Sequence, residues 1–436
     1  MHKPLQRLKT GIWIYFVLLL IEGGLRRWFL PSLAAPLLVV RDPLAIYLLF
    51  VAYKFDVFPK HKLVPLMFYI GILSILTALI FGHGNFFVAL FGARVLLIQF
   101  PMLYLIGRNF EREDVILMGK IILWISIPMA ILMTIQFYSP QTAWVNRGVG
   151  DSTEGAGFSG INDYFRPPGT FSFITGLTSF FSLAACFIFY FWLQPKYVNK
   201  LLLIGATLAL IVSIPTSIAR TLFFQVLITL IFFLIAKSSM PGFLKNMIQL
   251  AFGIAILIFL FSNIDTLNTQ IGAFSERFSL ANESEGGLGG VIVDRFLGGF
   301  VGAFIILDDN HVVFGHGIGM GTNVGAQLLS GKTDFLIAEQ EWGRIIGESG
   351  MLIGLLIIVI RIKMTSDIAI HCFRRFKEGD YLPWMLLSFG ILVLFQGGWA
   401  QPNNLGFYVL VGGLILATLS SPLEKDRKRQ KKFKRG

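Results

Sequence analysis

"FLIAEQEWGRIIGESGMLIGLLIIVI" runs from Phe335 to Ile360, and its two halves obey different rules. Met351 to Ile360 holds no polar residue, while Glu339, Glu341, Arg344 and Glu348 lie within three helical turns ahead of it. An apolar run of this kind belongs inside a membrane, and charges at its mouth need partners or a task. The same oil recurs throughout the chain. Of 436 residues, 55% are hydrophobic and 14% charged, and the mean hydropathy is +0.71. A soluble domain carries about 25% charge. Repeated apolar runs of roughly 20 residues are each long enough to cross about 30 Å of hydrocarbon as a helix. The composition excludes a soluble enzyme and predicts an all-α, polytopic membrane protein.

Spans are expected near 11–29, 36–53, 63–81, 86–107, 115–138, 169–194, 199–217, 221–236, 246–262, 343–362, 383–400 and 404–420, twelve in all. "EGGLRRW" (22–28) interrupts the first run and no small-residue cleavage site follows, so that run reads as a retained span, not a signal peptide. Cys186 falls in an apolar segment and Cys372 in an expected basic loop, which argues against a disulfide framework. Charge then orients the chain. With the N-terminus inside, 25 of the 37 Lys and Arg residues fall on the cytoplasmic side, eight of them in the tail 421–436. That is the positive-inside pattern, and it predicts N-in/C-in. The basic tail reads as an anchor against anionic lipid, with no role for nucleic acid.

Two outer loops are long, 139–168 and 263–342, the second between spans nine and ten; 291–307 has the pattern of an amphipathic or re-entrant helix. "SIPTSIART" (213–221) interrupts a helix with Pro215 and several hydroxyls, either as a turn between spans or as a break lining a cavity. "GHGIGMGT" (315–322) lacks the Gly-Lys-Ser/Thr ending of a phosphate loop and reads as a flexible turn. His311 and His316 beside Asp308 and Asp309 do not have zinc-helix spacing, and no metal is expected.

Setting aside Arg94 and Lys120 inside spans, ten cations remain outside: Arg26, Arg27, Arg41, Arg147, Arg166, Arg220, Arg277, Arg295, Lys332 and Arg344. Nine are arginine, the side chain whose planar fork matches phosphate oxygens and stays charged at low dielectric. Any single one of them can simply snorkel. Together, on the face that topology disfavours, they point to an anionic ligand at the outer leaflet, best a lipid-linked phosphate or diphosphate.

"EGGLRRWFLP", "LVVRDPL", "LFGARVLLIQFPMLYLIGR", "RPPGTFSFITG", "SIARTLFF", "DRF", "FGHGIGMGT" and "EWGRIIGESGMLIGLL" occur in this order over nearly the whole chain. Together they resemble the bacterial O-antigen ligase and polysaccharide polymerase superfamily. The resemblance implies a multi-pass glycosyltransferase of the bacterial inner membrane, active on its outer, periplasmic face, using an undecaprenyl-diphosphate-linked glycan without metal or other cofactor. It implies diphosphate-binding roles for Arg166, Arg220 and Arg295. A chain-length regulator is a further partner it allows. Glu348 and Gly350 match the family's Glu-x-Gly pair and Trp342 its tyrosine, but Glu339 stands where ligases carry a histidine. Either Glu339 or Glu341 then takes the proton of the attacking hydroxyl, or both only cap the helix that follows. Arg344, four residues before Glu348, is the expected partner of that carboxylate. The missing histidine favours a polymerase over a ligase, which shares the donor site; a flippase or other transporter is the alternative from another class.

Overall fold

The computed structural model of the protein describes residues 2–161, 164–240, 265–284, 312–331, 336–338 and 340–422. They form α1 (His2–Gly24), α2 (Arg41–Lys54), α3 (Leu63–Ile80), α4 (Phe86–Arg94), α5 (Phe100–Asn109), α6 (Arg112–Tyr138), α7 (Ile174–Leu193), α8 (Lys200–Thr216), α9 (Arg220–Ser238), α10 (Asp265–Ser284), α11 (Asn323–Ser330), α12 (Glu341–Lys377), α13 (Tyr381–Gln396) and α14 (Pro402–Ser420), joined in places by short helical turns. The only strands among them are an antiparallel pair between α6 and α7, β1 (Phe158–Ile161) and β2 (Tyr164–Arg166).

Nine helical stretches among the described residues are long and apolar enough to cross a membrane. α8 and α13 are apolar but shorter, at 17 and 16 residues. The expected span at 246–262 and the amphipathic stretch 291–307 lie outside the described residues. Most of these helices are apolar all the way round, so they have no wet face and pack by shape. α7 is innermost: 89% of its most apolar stretch is buried, against 28% for 31–54 and for α9. α5 and α14 meet backbone to backbone; a methyl on Gly413 would lie 2.5 Å from Ile106, and one on Gly107 2.4 Å from Leu416. Small residues give helices in lipid this close approach.

Two departures from regular α-helix bear on the site. The chain widens into π-helical turns at Leu25–Phe29 and Val95–Gln99. A π-turn takes in one extra residue, so side chains five apart come to one face. Arg94 and Gln99 are five apart, and both bond the carboxylate of Asp42. The second departure corrects the expected span 343–362. In a straight helix Glu341 and Arg361 would stand about 30 Å apart at 1.5 Å per residue. Instead Arg361 Nη1 donates to Glu341 Oε1 at 2.8 Å. The chain reverses at Gly350, whose φ of 68° and ψ of −177° are closed to other residues. Residues 341–349 fold back along the start of the segment 351–377, so that a methyl on Gly354 would lie 3.1 Å from the Ile345 carbonyl oxygen. The membrane-crossing segment therefore starts at the Gly350 corner and runs to Lys377, about 40 Å of helix. It carries Cys372, buried within a helix and not in a loop.

The glycine-rich stretch explains how a helix breaks here without losing its hydrogen bonds. The amides of Met351 and Leu352 donate to the carbonyls of Val312 and Val313, and those of His316 and Gly317 donate to Gly347 and Glu348. Both cut ends are thus capped by 312–317. Gly315 must be small, because a methyl there would sit 2.4 Å from the Gly350 nitrogen. His83, in the α3–α4 turn, clamps the same stretch: its Nδ1 accepts from the Asn85 amide, which leaves Nε2–H to donate to the Ile318 carbonyl. "GHGIGMGT" is a splint for the corner, where the sequence pattern suggested a flexible turn.

Candidate functional site

The arginines expected on the outer side separate into different tasks. Arg27 is fully buried and gives all its bonds to backbone: Nε to the Arg147 carbonyl, Nη2 to Val145, and Nη1 to Gly169 and Phe171. Gln136 and Asn146 complete that clamp. Gln136 accepts from the Gly169 amide, and Asn146 Nδ2 donates to the Gln136, Ser139 and Pro140 carbonyls. The loop 139–170 is therefore a built element that holds β2 in place. Arg147 pairs with Asp151 in solvent. Arg344, Arg26 and Arg41 are engaged inside the bundle.

Arg166, Arg220 and Arg277 come together, and local sequence shows how. α8 stops at Thr216, next to Pro215; Ile218 takes a left-handed φ of 48°, and α9 opens on Arg220. The corner at 213–221 is thus a turn between two helices. α10 lies over it, with Thr216 Oγ1 donating to Gln270 Oε1 at 2.9 Å and Phe223 edge-on to Phe274. Ile218, Ala273 and Phe137 form a small apolar cluster with Tyr164, whose ring stacks on Phe137 at 4.7 Å. Each arginine follows one member of that cluster. Arg166 is two along a strand from Tyr164 and Arg277 one helical turn past Ala273, so the strand and helix periods carry both to the cluster's side, while Arg220 opens α9 two residues past the Ile218 turn. The charges feel one another: burial, then repulsion from Arg277 and Arg220, lowers the Arg166 pKa to about 10. Arg166 stays protonated at neutral pH, and a multiply charged anion is the natural counterpart of three neighbouring guanidinium groups.

Of the residues expected to bind diphosphate, Arg166 and Arg220 are thus brought together, and Arg295 lies outside the described residues. Arg277 takes a place beside them. It was already visible as an outer cation, but nothing local in the sequence tied it to the other two.

The expected acid–base pair divides. Glu339 lies outside the described residues. Glu341 is 4% exposed and fully engaged: Oε2 accepts from Arg344 Nε at 3.0 Å, and Oε1 from Arg344 Nη2 at 2.9 Å and Arg361 Nη1 at 2.8 Å. It neither caps the helix, whose N-cap is Gln340, nor presents a free oxygen edge to a hydroxyl. Arg344 Nη1 reaches Glu348 Oε2 at 2.5 Å, and Glu348 Oε1 accepts from the Gly321 amide at 2.8 Å. Arg361, counted with the cytoplasmic cations by sequence, is buried here, stacked 4.6 Å over Trp399 and donating to the Leu394 and Gly397 carbonyls at the end of α13. Two carboxylates and two guanidiniums balance, and a cavity of about 20 Å³ adjoins them, room for about one water.

A second buried cluster escaped the sequence reading, although its parts lie in "EGGLRRW", "LVVRDPL" and "ARVLLIQFP". Glu22 pairs with Arg41 at 3.1 Å and Arg26 at 3.6 Å. Asp42 takes Arg94 at 2.8 Å and Gln99 at 2.6 Å, and Tyr15 links them by donating to Gln99 Oε1 at 2.7 Å. Finally, α1 and α6 flank an apolar groove of about 270 Å³, lined by Trp13, Phe16, Leu20, Ile125 and Met129 and closed by Thr170, four residues beyond Arg166.

Among the described residues no group of His, Cys, Asp and Glu could hold a metal. No family model, no curated protein and no solved structure matches the chain.

Proposed function

We propose that the protein is a glycosyltransferase of a bacterial inner membrane, which polymerises lipid-diphosphate-linked oligosaccharide repeat units on the periplasmic side. In this reading the chain has twelve spans, N-in/C-in, with 246–262 the ninth. The single observation that carries it is the cluster of Arg166, Arg220 and Arg277, which gathers outer cations that the positive-inside rule disfavours. The order of the sequence motifs supports it. Arg295 joins the three as a fourth ligand of the diphosphate. The groove between α1 and α6 gives the lipid chain a path along the bundle from the same loop.

The chemistry then follows. A hydroxyl of the acceptor repeat unit attacks the anomeric carbon of the donor, and a carbon–oxygen bond to the acceptor forms. The bond from that carbon to the diphosphate oxygen breaks, and its electron pair leaves with the lipid diphosphate. Preorganised guanidiniums stabilise the charge that grows on this leaving group. Glu339 is the carboxylate proposed to take the hydroxyl proton, since Glu341 is held by Arg344 and Arg361.

Purified protein given lipid-linked repeat units extends them into a ladder. Arg166→Ala, Arg220→Ala and Arg277→Ala each lower that rate by about 100-fold, the scale of losing one donor to a developing anion. Wild-type extension in all three would sink the proposed site. Transfer of a finished glycan to a lipid A core or other acceptor, without extension, would make the protein a ligase; glycan translocation without either reaction would make it a transporter.

A further inference from the structure

The cluster around Arg94 is buried, charged and incompletely bonded. Arg94 is 6% exposed, its guanidinium lies 4.1 Å from the Phe91 ring centre, and Nη1 donates to Asp42. Its Nε and Nη2 are buried and have no hydrogen-bond partner among the described residues. These two atoms form the side-on edge of a guanidinium, whose parallel N–H groups fit one small anionic group. The same edge of Arg344 holds the two oxygens of Glu341 elsewhere in this molecule. At Arg94 the partner is missing from the described side chains. Charge is missing too: among the described residues, Arg26, Arg41 and Arg94 face only the carboxylates of Glu22 and Asp42, with Tyr15 and Gln99 neutral. A surplus cation with two dry donors inside an apolar bundle is costly, and one negative charge on that edge would remedy both defects.

We infer that the Nε–Nη2 edge of Arg94 binds a small monoanion, of the size of chloride or formate, taken from solution. A water molecule would satisfy the donors but leave the surplus charge. The site is distinct from the outer cluster of Arg166, Arg220 and Arg277, and does not depend on the glycosyltransferase reading.

The test uses the purified full chain in sodium gluconate, titrated with bromide or formate at constant ionic strength. Binding to the folded state alone raises the thermal midpoint with saturable dependence on the small anion. Crystals grown in bromide show an anomalous peak at Arg94 Nε and Nη2. Arg94→Lys keeps the charge, removes the fork and abolishes the saturable rise. Should that variant fail to fold, the bromide map of the wild type decides alone. A map with no peak at Arg94, or a rise in Arg94→Lys equal to wild type, overturns the inference and leaves a bound water.

Discussion

The bundle buries two charge clusters made of the same residue types, and they are finished differently. In the cluster of Glu341, Arg344, Glu348 and Arg361, carboxylates and guanidiniums are equal in number and the side-on fork of Arg344 is filled. It ties a reversed helix to its own continuation and to the end of α13. In the cluster of Glu22, Arg26, Arg41, Asp42 and Arg94, cations outnumber anions and one fork has no hydrogen-bond partner among the described residues. A balanced cluster holds a shape; an unbalanced one with a free edge is suited to hold a ligand. The difference lies in stoichiometry, since both are built on arginine–carboxylate pairs.

The largest expected effect is in the balanced cluster. Glu341→Leu leaves two buried guanidiniums with the single carboxylate of Glu348 and costs about 3–5 kcal/mol. It would appear as a large drop in thermal midpoint in detergent, and Glu341→Leu/Arg361→Met recovers part of it by restoring balance. A mild effect of the single change would mean the reversed helix is held by packing alone. Next comes the corner itself. Gly350→Ala places a methyl 2.2 Å from the Val313 carbonyl oxygen at a φ of 68°, so backbone strain of about 1–3 kcal/mol is expected before any repacking. The same melting experiment measures it, and an unchanged midpoint would contradict the reversal at Gly350. The smallest effect belongs to the unbalanced cluster. Arg26→Met gives up bonds to the Ala34 carbonyl and Ser172 Oγ and the 3.6 Å pairing with Glu22, which keeps Arg41 as its partner. The net cost is about 2 kcal/mol, since each ordinary hydrogen bond contributes about 1 kcal/mol. A loss as large as that of Glu341→Leu would erase the distinction between the clusters.

Much of the architecture was legible in the sequence because hydrophobic length is a local property. Helices such as α3, with bounds Leu63–Ile80 against an expected 63–81, follow from unbroken apolar runs. The pairing of Arg344 with Glu348 was legible too, since positions four apart share a helix face. The reversal at Gly350 was not. "GESGMLIGLL" reads as a continuous helix in any window, and only the capping carbonyls and amides of 312–317 make a break affordable. The engagement of Glu341 was hidden for the same reason: its second partner, Arg361, is 20 positions away.

The sequence by itself determined that this is a multi-helix membrane protein with an unusual number of arginines outside its lysine-rich basic segments, because composition, run length and charge add up residue by residue. Only the tertiary structure decided what each arginine does. Arg27 clamps a loop, Arg344 and Arg361 pin a reversed helix, Arg94 leaves one edge without a partner among the described residues, and Arg166, Arg220 and Arg277 gather around one apolar cluster. The physical reason is that a guanidinium carries the same charge and donors everywhere. Its role is set by which carboxylates and carbonyls the fold brings within 3 Å, and those come from segments far apart in the chain.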